Sequence, residues 1–485
     1  MVHKKLTNRQ VLMEQSYNYR YIWMISLVAA MGGLLFGYDW VVIGGAKPFY
    51  EAYFSIGGDE HAWESGWAMS SALVGCLLGS LLSGALTDRI GRKKALIFAA
   101  LLFTISAIGT ALANNFDLFI FARILGGIGI GLASNVSPIY ISEMSPAHMR
   151  GRFVSINQLT IVIGVLAAQV INLFIYNTHP IAPEATQALI RNSWNGQLGW
   201  RWMFAIETIP ALLFLGLAFI IPESPRWLVK NYSADSARKT KARQILSKIG
   251  GNDYAEKQLL SIQKNLATHA QTFTYHQLLK PRVLKILGLG IGLAVFQQWC
   301  GINVIFNYAQ EIFYAAGYDV SGTMFNIVIT GMVNLLFTLI AIKTVDRWGR
   351  RPLMLFGSAG LMVTYTILGS CYYLGITGSA VLIVLLAAIA FYAMTLAPIT
   401  WVLLSEIFPN HIRGFAMGIC VSALWIASLL LTLTFKPINT ALGAAGSFWL
   451  YGAICLIGFI FIKKHVPETK DKSLEEIEQS LGSNS

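Results

Sequence analysis

Long apolar runs separated by short polar loops fill most of this sequence. Each run is close to the roughly 20 residues that an α-helix needs to cross a bilayer. A transmembrane β-strand would instead need only about 10 residues of alternating polarity. The pattern therefore predicts an all-α integral membrane protein with twelve transmembrane helices. The runs lie near residues 21–44, 66–87, 95–113, 117–140, 153–176, 201–221, 283–312, 322–345, 352–374, 379–405, 414–435 and 445–464.

One long polar stretch, residues 222–282, divides the runs into two sets of six. Within it, Ala237–Ile249 and Asp253–Leu266 have the spacing of short amphipathic helices. We expect an N-terminal half over residues 1–221, a helical linker over 222–282, a C-terminal half over 283–465 and a tail over 466–485.

Composition and charge agree with a membrane protein. Only 12% of the residues are charged, against about 25% in an ordinary soluble domain. The formal net charge is +12, but the basic residues gather in every second loop, as the positive-inside rule describes. This placement predicts both termini in the cytoplasm and argues against a nucleic-acid partner. The five cysteines fall inside apolar runs, so we expect packing roles with no metal site and no disulfide.

An internal repeat supports the two halves. The segment Gly84–Lys93 recurs as Ile342–Arg351, and Ser142–Gly151 recurs as Ser405–Gly414, at offsets of 258 and 263 residues. Two parallel six-helix halves place a substrate site near the bilayer midplane, where the halves meet.

These motifs carry a family resemblance. The chain resembles the sugar-porter family of the major facilitator superfamily over nearly its whole length, through Asp88–Arg92, Pro222–Trp227, Gln297–Asn303, Asp346–Arg351 and Pro467–Thr469. Within that family, further stretches look most like the bacterial proton-coupled xylose symporters; they are Gly32–Asp39, Trp202–Glu207 and Trp401–Asn410. The resemblance implies the major facilitator fold and an inner-membrane transporter.

Two opposite charges lie inside predicted spans. Asp39 is in the first and Arg123 is near the start of the fourth. Intramembrane charges are costly and usually functional, although a permanent ion pair that only fixes helix packing remains the alternative. The resemblance implies that Asp39 accepts the proton and that Arg123 is its partner. It also brings in Glu207, for which a purely structural role is equally open.

Amide side chains deep in the spans suit a sugar, because an amide both donates and accepts hydrogen bonds. Gln298 and Asn303 are five residues apart, with Gly301 between them as a point where the helix can break. Helix-to-helix bonding is the alternative. The resemblance implies a sugar site with aromatic walls, made of Phe36, Gln158, Gln297, Gln298, Asn303, Asn334, Trp401 and Trp425. Asn307, close behind Asn303 in the sequence, is a further candidate for the same site.

Several positions depart from the xylose-symporter pattern. Asn307 stands at a usual tyrosine position, Val165 and Leu424 replace amides, and Trp40 replaces a smaller residue. These departures leave pentose and hexose substrates open.

Opposite charges in the predicted cytoplasmic loops form a candidate gate between the halves. Such charges could also serve only as topology signals, although that would not explain the acidic ones. The set comprises Asp88, Arg89, Arg92, Glu143, Arg150, Glu223, Arg226, Asp346, Arg347, Arg350, Glu406 and Arg413, with Arg351 and Glu468 beside them.

Function follows as an expectation. Neither a nucleotide-binding loop nor a nucleophile–base set is present in the sequence, so we expect no cofactor and no enzyme activity. The leading hypothesis is a proton-coupled symporter for D-xylose or a hexose such as glucose or galactose, working by alternating access. A facilitative uniporter of the same fold and a non-transporting sensor are the alternatives. Expected partners are a monosaccharide, a proton and the lipid bilayer, with a monomeric protein.

Overall fold

The computed structural model describes residues 17–146, 149–182, 186–230, 236–268, 281–408 and 413–470, and these ranges are helical without any strand. The helices of the first half and the linker are α1 Tyr19–Phe54, α2 Ala62–Ile90, α3 Arg92–Leu112, α4 Phe116–Met144, α5 Arg150–Thr178, α6 Gln187–Asn192, α7 Trp200–Ala205, α8 Thr208–Ile220, α9 Pro225–Lys230 and α10 Ser236–Thr268. The helices of the second half are α11 Pro281–Trp299, α12 Ile302–Asn307, α13 Ala309–Ala315, α14 Val320–Trp348, α15 Arg350–Tyr373, α16 Ser379–Met394, α17 Leu396–Glu406 and α18 Arg413–His465.

Eleven helical stretches in the described residues are long and apolar enough to cross a membrane. The last, Ala416–His465, has 50 residues. At 1.5 Å per residue it measures about 75 Å, more than twice the roughly 30 Å thickness of the hydrocarbon core. Its backbone leaves helical geometry at Gly443, with φ of 70° and ψ of 175°. The helix therefore makes two crossings, and the predicted twelve-helix membrane fold is confirmed.

Two spans of the second half are interrupted within their length. The seventh breaks at Gly301, whose φ of 88° lies in the left-handed region, and it continues as α12 and α13. A side chain at Gly301 would also meet the ring of Tyr451 at 2.8 Å. The tenth span breaks at Thr395, between α16 and α17. Such breaks free backbone groups inside the membrane, where they suit the lining of a site.

The glycine-rich run in α4 brings two helices into backbone contact. A Cβ built on Gly127 would lie 1.9 Å from the carbonyl oxygen of Ala72, and one on Gly131 would lie 2.2 Å from that of Cys76. The run therefore packs α4 against α2, as small residues do in membrane helices.

The linker forms the two predicted amphipathic segments, joined where α10 bends at Gly250 and Gly251. One face of α10 packs inward; its buried residues include Ala242, Ile245, Leu246, Ile249, Tyr254, Ala255 and Leu259. The amide of Asn18 donates to the carbonyl of Ile249 at 2.9 Å, which ties the linker to the start of α1. The linker therefore covers the end of the bundle where α1 begins. We call this the basic end, because the Lys- and Arg-rich loops 88–94 and 343–351 lie there as well.

The halves meet along matched helix pairs. In the described residues α2 packs against α18, and α5 packs against α14. The α2–α18 contact is close: a Cβ on Gly66 would lie 2.7 Å from the carbonyl oxygen of Leu433. Gly66 lies in the first turns of α2, far from the basic end, so the halves are in tight contact at the opposite end.

Candidate substrate and coupling site

Asp39 and Arg123 meet inside the N-terminal half. The guanidinium of Arg123 donates from Nη1 to Asp39 Oδ1, and from Nη2 to the Asp39 carbonyl oxygen at 3.2 Å. Each residue is 2% exposed. Because α1 and α4 each supply one charge, the attraction offsets part of the desolvation cost of both. The predicted partners are thus in direct contact.

A second carboxyl group shares this site. Glu207, in the turn between α7 and α8, is 2% exposed and interacts electrostatically with both Asp39 and Arg123. Asp39 Oδ2 and Glu207 Oε1 are buried oxygens without a hydrogen-bond partner among the described residues. Gly126 packs over the first of these, since a Cβ there would lie 3.0 Å from Asp39 Oδ2. We call Asp39, Glu207 and Arg123 the charged set. It contains two carboxyl groups and one guanidinium group.

The predicted amides form a chain of hydrogen bonds across the Gly301 break. Asn303 donates to Gln298, Gln298 Nε2 donates to Gln297 Oε1 at 2.5 Å, and Gln297 Nε2 donates to the hydroxyl of Tyr392 at 2.6 Å. Tyr392, on α16, was not predicted from the sequence. Its only sequence signal is a hydroxyl-bearing residue in an apolar run, which is too common to single it out.

Asn307 lies one turn beyond Asn303. Its Nδ2 approaches Thr432 Oγ1 at 3.5 Å, while its Oδ1 is buried without a partner in the part of the chain that the structure describes. Gln158 on α5 and Asn334 on α14 belong to two helices that pack together across the halves. No hydrogen bond among the described residues joins either of them to the amide chain.

Three aromatic rings form a triangle between the halves. Phe36, Trp40 and Trp425 have ring centroids 6.0 Å apart in each pair. Phe36 and Trp425 were predicted as sugar walls, and Trp40 completes the triangle. Trp401, the fourth predicted aromatic, is half-buried on α17 and makes no ring contact with these three among the described residues.

A cavity of about 10 Å³ lies between Arg123 and Asn307. This space suits about one water molecule. Its lining combines residues from both halves: Trp40, Met69, Ala72, Leu73, Arg123, Ile130 and Asn307. Arg123 therefore faces Asp39 on one side and the candidate sugar residue Asn307 across the cavity.

The charges of the N-terminal half at the basic end pair with one another. Arg92 contacts Glu143 at 3.1 Å and Asp88 at 3.5 Å, and Lys230 contacts Asp88 at 2.8 Å. Glu223 accepts from the Arg92 amide at 2.9 Å and the Lys93 amide at 3.1 Å. Partial burial raises the pKa of the Glu223 carboxyl, and these donors counteract the rise.

The C-terminal half repeats this arrangement. Arg350 contacts Glu406 at 3.3 Å, and Glu468 accepts from the amides of Arg350 at 3.0 Å and Arg351 at 3.1 Å. Thr469 donates to Glu406 at 2.5 Å, as Ser224 donates to Glu143 in the first half. The sequence repeat is therefore also a repeat of hydrogen bonds.

Three further candidate gate residues, Arg89, Arg150 and Arg226, make no ion pair with these clusters in the part of the chain that the structure describes. Arg89 and Arg226 are exposed, and Arg150 Nε donates to the carbonyl of Ser142 at 3.0 Å. The side chains of Asp346, Arg347 and Arg413 lie outside the described residues. Among the basic-end ion pairs that the structure describes, none joins the N-terminal half to the C-terminal half.

Sequence reasoning missed a charged cluster at the opposite end. It consists of Lys47, Glu51, Ser65, Glu311 and Lys436, and we call it the Lys47 cluster. Lys47 is 1% exposed; it contacts Glu51 at 3.0 Å and also bonds Glu311 of the C-terminal half. Lys436 contacts Glu311 at 3.7 Å, and Ser65 donates to Glu51. A Lys–Glu spacing of four residues was the available signal, but the first predicted span ended at residue 44.

Comparisons with known proteins agree with this geometry. Residues 25–481 match the family of sugar (and other) transporters. The chain is 40% identical to the D-xylose-proton symporter of Escherichia coli, covering 96% of this chain and 97% of that protein. It is 39% identical to a glucose transport protein of Synechocystis, covering 96% and 98%.

A solved structure extends the likeness to three dimensions. The xylose transporter of E. coli in a partially occluded inward-open conformation has a TM-score of 0.81 and 37% identity, covering 94% of this chain and 100% of that one. The chain belongs to the sugar transporter family of the major facilitator superfamily, and it is a multi-pass membrane protein.

Proposed function

We propose that the protein is a proton-coupled monosaccharide symporter that works by alternating access. The observation that carries this proposal is the cavity shared by Arg123 and Asn307, because it brings a buried ion pair next to a hydrogen-bonding site of sugar type. The likeness to a D-xylose-proton symporter supports proton coupling. D-xylose and a hexose such as glucose or galactose are the candidate substrates.

Charge balance explains how the proton couples to movement. With both carboxyl groups ionised, Asp39, Glu207 and Arg123 together carry a formal charge of −1 inside the membrane. Burying an uncompensated charge is expensive, so one proton on this set balances it. If Arg123 leaves Asp39 during the conformational change, Asp39 loses its compensating cation and takes up a further proton, which is the one that is transported. Protonation and movement are then linked, with Glu207 adjusting the balance.

The sugar occupies the space between the amide chain and the aromatic triangle. Gln297, Gln298, Asn303 and Asn307 offer donors and acceptors to the hydroxyl groups, and aromatic rings cover the apolar C–H faces. Gln158 and Asn334 approach from the helix pair α5 and α14, and Phe36, Trp401 and Trp425 form the walls.

Alternating access needs a gate on each side. We assign the basic end to the cytoplasm, together with both termini, on the strength of the charge distribution. There the clusters around Arg92 and Arg350 close the halves when the protein faces outward, and the Lys47 cluster closes them on the outer side. The boundaries 1–221, 222–282, 283–465 and 466–485 then delimit two moving halves, the linker and a cytoplasmic tail.

The test is sugar uptake into proteoliposomes that contain the purified protein. Labelled xylose, arabinose, glucose and galactose are offered with and without a proton gradient. We expect accumulation of at least one sugar above equilibrium only with the gradient. Equilibration without accumulation would show a facilitative uniporter, and binding without any flux would show a sensor.

Asp39→Asn tests the coupling residue. We expect gradient-driven accumulation to fall at least tenfold, while exchange of labelled for unlabelled sugar persists, because the sugar site is intact and only the proton acceptor is lost. Asp117→Asn is the matched control, since Asp117 is an exposed carboxylate on the same helix as Arg123. Continued accumulation by Asp39→Asn would remove Asp39 from the coupling mechanism.

A further inference from the structure

Trp40 occupies a position between the two candidate sites that neither the family resemblance nor the proposed function explains. It follows Asp39 directly in α1. Successive residues of a helix point about 100° apart, so Trp40 lies on a different side of α1 from Asp39 and points toward the other half. Its ring centroid lies 6.0 Å from that of Trp425 on α18 and 6.0 Å from that of Phe36. Trp40 thus reaches across the interface of the halves.

The surroundings of Trp40 are those of a binding wall. Trp40 is only half-buried, and it lines the cavity that Arg123 and Asn307 share. Two polar groups beside it are buried without hydrogen-bond partners in the described ranges: Asn307 Oδ1 and the indole Nε1 of Trp425. Buried polar groups normally have partners. Their lack of one here points to a hydroxyl-bearing ligand against Trp40.

Space is short at this wall. The cavity beside Trp40 measures about 10 Å³, which suits about one water molecule. A hexopyranose carries an exocyclic hydroxymethyl group that a pentopyranose lacks, so it needs more room than a pentopyranose at a wall where the Trp40 indole already fills the space. The smaller residue that the resemblance implies at this position would leave the space open.

We propose that Trp40 is a specificity-determining residue that contacts the sugar and excludes the hydroxymethyl group of hexoses, which makes pentoses the substrate class. This inference rests on the proposed function and deepens it. A misfit of one small group in a pocket changes specificity by about 10–200-fold.

The test compares sugar preference in the wild-type protein and in Trp40→Ala, with Trp40→Phe as a milder change and Trp63→Ala as control. Trp63 is 59% exposed at the start of α2. Each protein takes up labelled xylose in competition with unlabelled xylose, glucose and 6-deoxyglucose, and each sugar's stabilisation of the detergent-purified protein against heat is measured in parallel.

We expect the wild-type protein and Trp63→Ala to prefer xylose over glucose by about tenfold or more. Trp40→Ala should reduce that ratio at least fivefold, with 6-deoxyglucose intermediate. The thermal measurement gives the same ratio if a variant binds sugar but no longer transports it. An equal loss of affinity for all sugars, or a wild-type protein that already prefers glucose, would overturn the proposal. Neither result affects the symport mechanism, which fails only if no sugar accumulates with the gradient.

Discussion

The two ends of the bundle handle buried charge in different ways. At the basic end, the described ion pairs join residues of the same half, such as Arg92 with Glu143 and Arg350 with Glu406. In the Lys47 cluster, the bond between Lys47 and Glu311 joins the two halves. The halves are therefore tied at one end and independently stabilised at the other. This difference agrees with the inward-open conformation of the related solved structure.

The comparison also shows how the buried ion pair between the two halves can separate. Within the Lys47 cluster, Lys47 lies 3.0 Å from Glu51 of its own half, and Glu311 lies 3.7 Å from Lys436 of its own half. Separation of the halves breaks the bond between Lys47 and Glu311 and leaves one neutral pair on each side. Removing one partner of a buried ion pair usually costs about 3–5 kcal/mol. Here neither partner is abandoned, so the cost of opening is smaller.

The largest effect on this comparison should come from Lys47→Met. When the halves are in contact, this change leaves the carboxylates of Glu51 and Glu311 with Lys436 as their cation. Once the halves separate, water solvates both carboxylates. We expect the outer side to open more often, by about 2 kcal/mol or about 30-fold. The measurement is labelling of Met69→Cys, buried beside the cavity, by an impermeant maleimide added outside. The protein without this cysteine gives the background, since its five native cysteines are buried.

A second variant separates charge imbalance from a packing defect. Glu51→Gln removes the carboxylate that Lys47→Met leaves uncompensated, because Glu311 keeps Lys436 at 3.7 Å. The double variant should therefore label less than Lys47→Met alone. Equal or greater labelling of the double variant would mean that Lys47 acts through packing. The Lys47 cluster would then not hold the halves together by electrostatic attraction.

A smaller effect of opposite sign is expected from Asp88→Asn at the basic end. Asp88 is 53% exposed at its side chain, and exposed ion pairs contribute about 0–1 kcal/mol. If this cluster closes the cytoplasmic side, its loss favours the inward-facing state, and outside labelling of Met69→Cys should fall about two- to fivefold. Asp117→Asn should leave it unchanged. Unchanged or increased labelling would show that Asp88 does not help to close the cytoplasmic side.

The smallest effect should come from salt. Raising ionic strength from 0.1 to 1 M shortens the screening length from about 10 to 3 Å. The exposed pair of Lys230 with Asp88 is open to screening, whereas Lys47 is 1% exposed. In the Met69→Cys protein, we expect the added salt to change labelling less than twofold. When Asp88→Asn is also present, we expect salt to cause no change. A large change that Lys47→Met abolishes would instead place the salt-sensitive contact in the Lys47 cluster.

The same contrast explains what the sequence could predict. Asp39, Arg123 and the Gln297–Asn303 cluster interrupt apolar runs, and a polar residue in such a run is visible without a structure. The break at Gly301 was visible as well, because a glycine stands between two amide residues in such a run. The Lys47 cluster was missed because α1 continues to Phe54 through Pro48, a residue that usually ends helices. The partner of Glu143 was equally hidden: it is Arg92, 51 residues away, and only helix packing brings the two together.

The segment beyond the Gly301 break carries parts of two sites. Asn303 and Asn307 stand at its inner end, and Glu311 of the Lys47 cluster stands about 12 Å further along by helical rise. Tyr308 fixes the middle: its hydroxyl donates to Thr432 at 2.6 Å, and its ring lies 5.3 Å from Lys47 Nζ. The segment therefore carries candidate sugar-binding residues at one end and a residue of the ion pair between the halves at the other. Under the proposed function, a sugar bound to Asn303 and Asn307 also restrains Glu311 and its bond to Lys47, so sugar binding and closure of the outer side occur together.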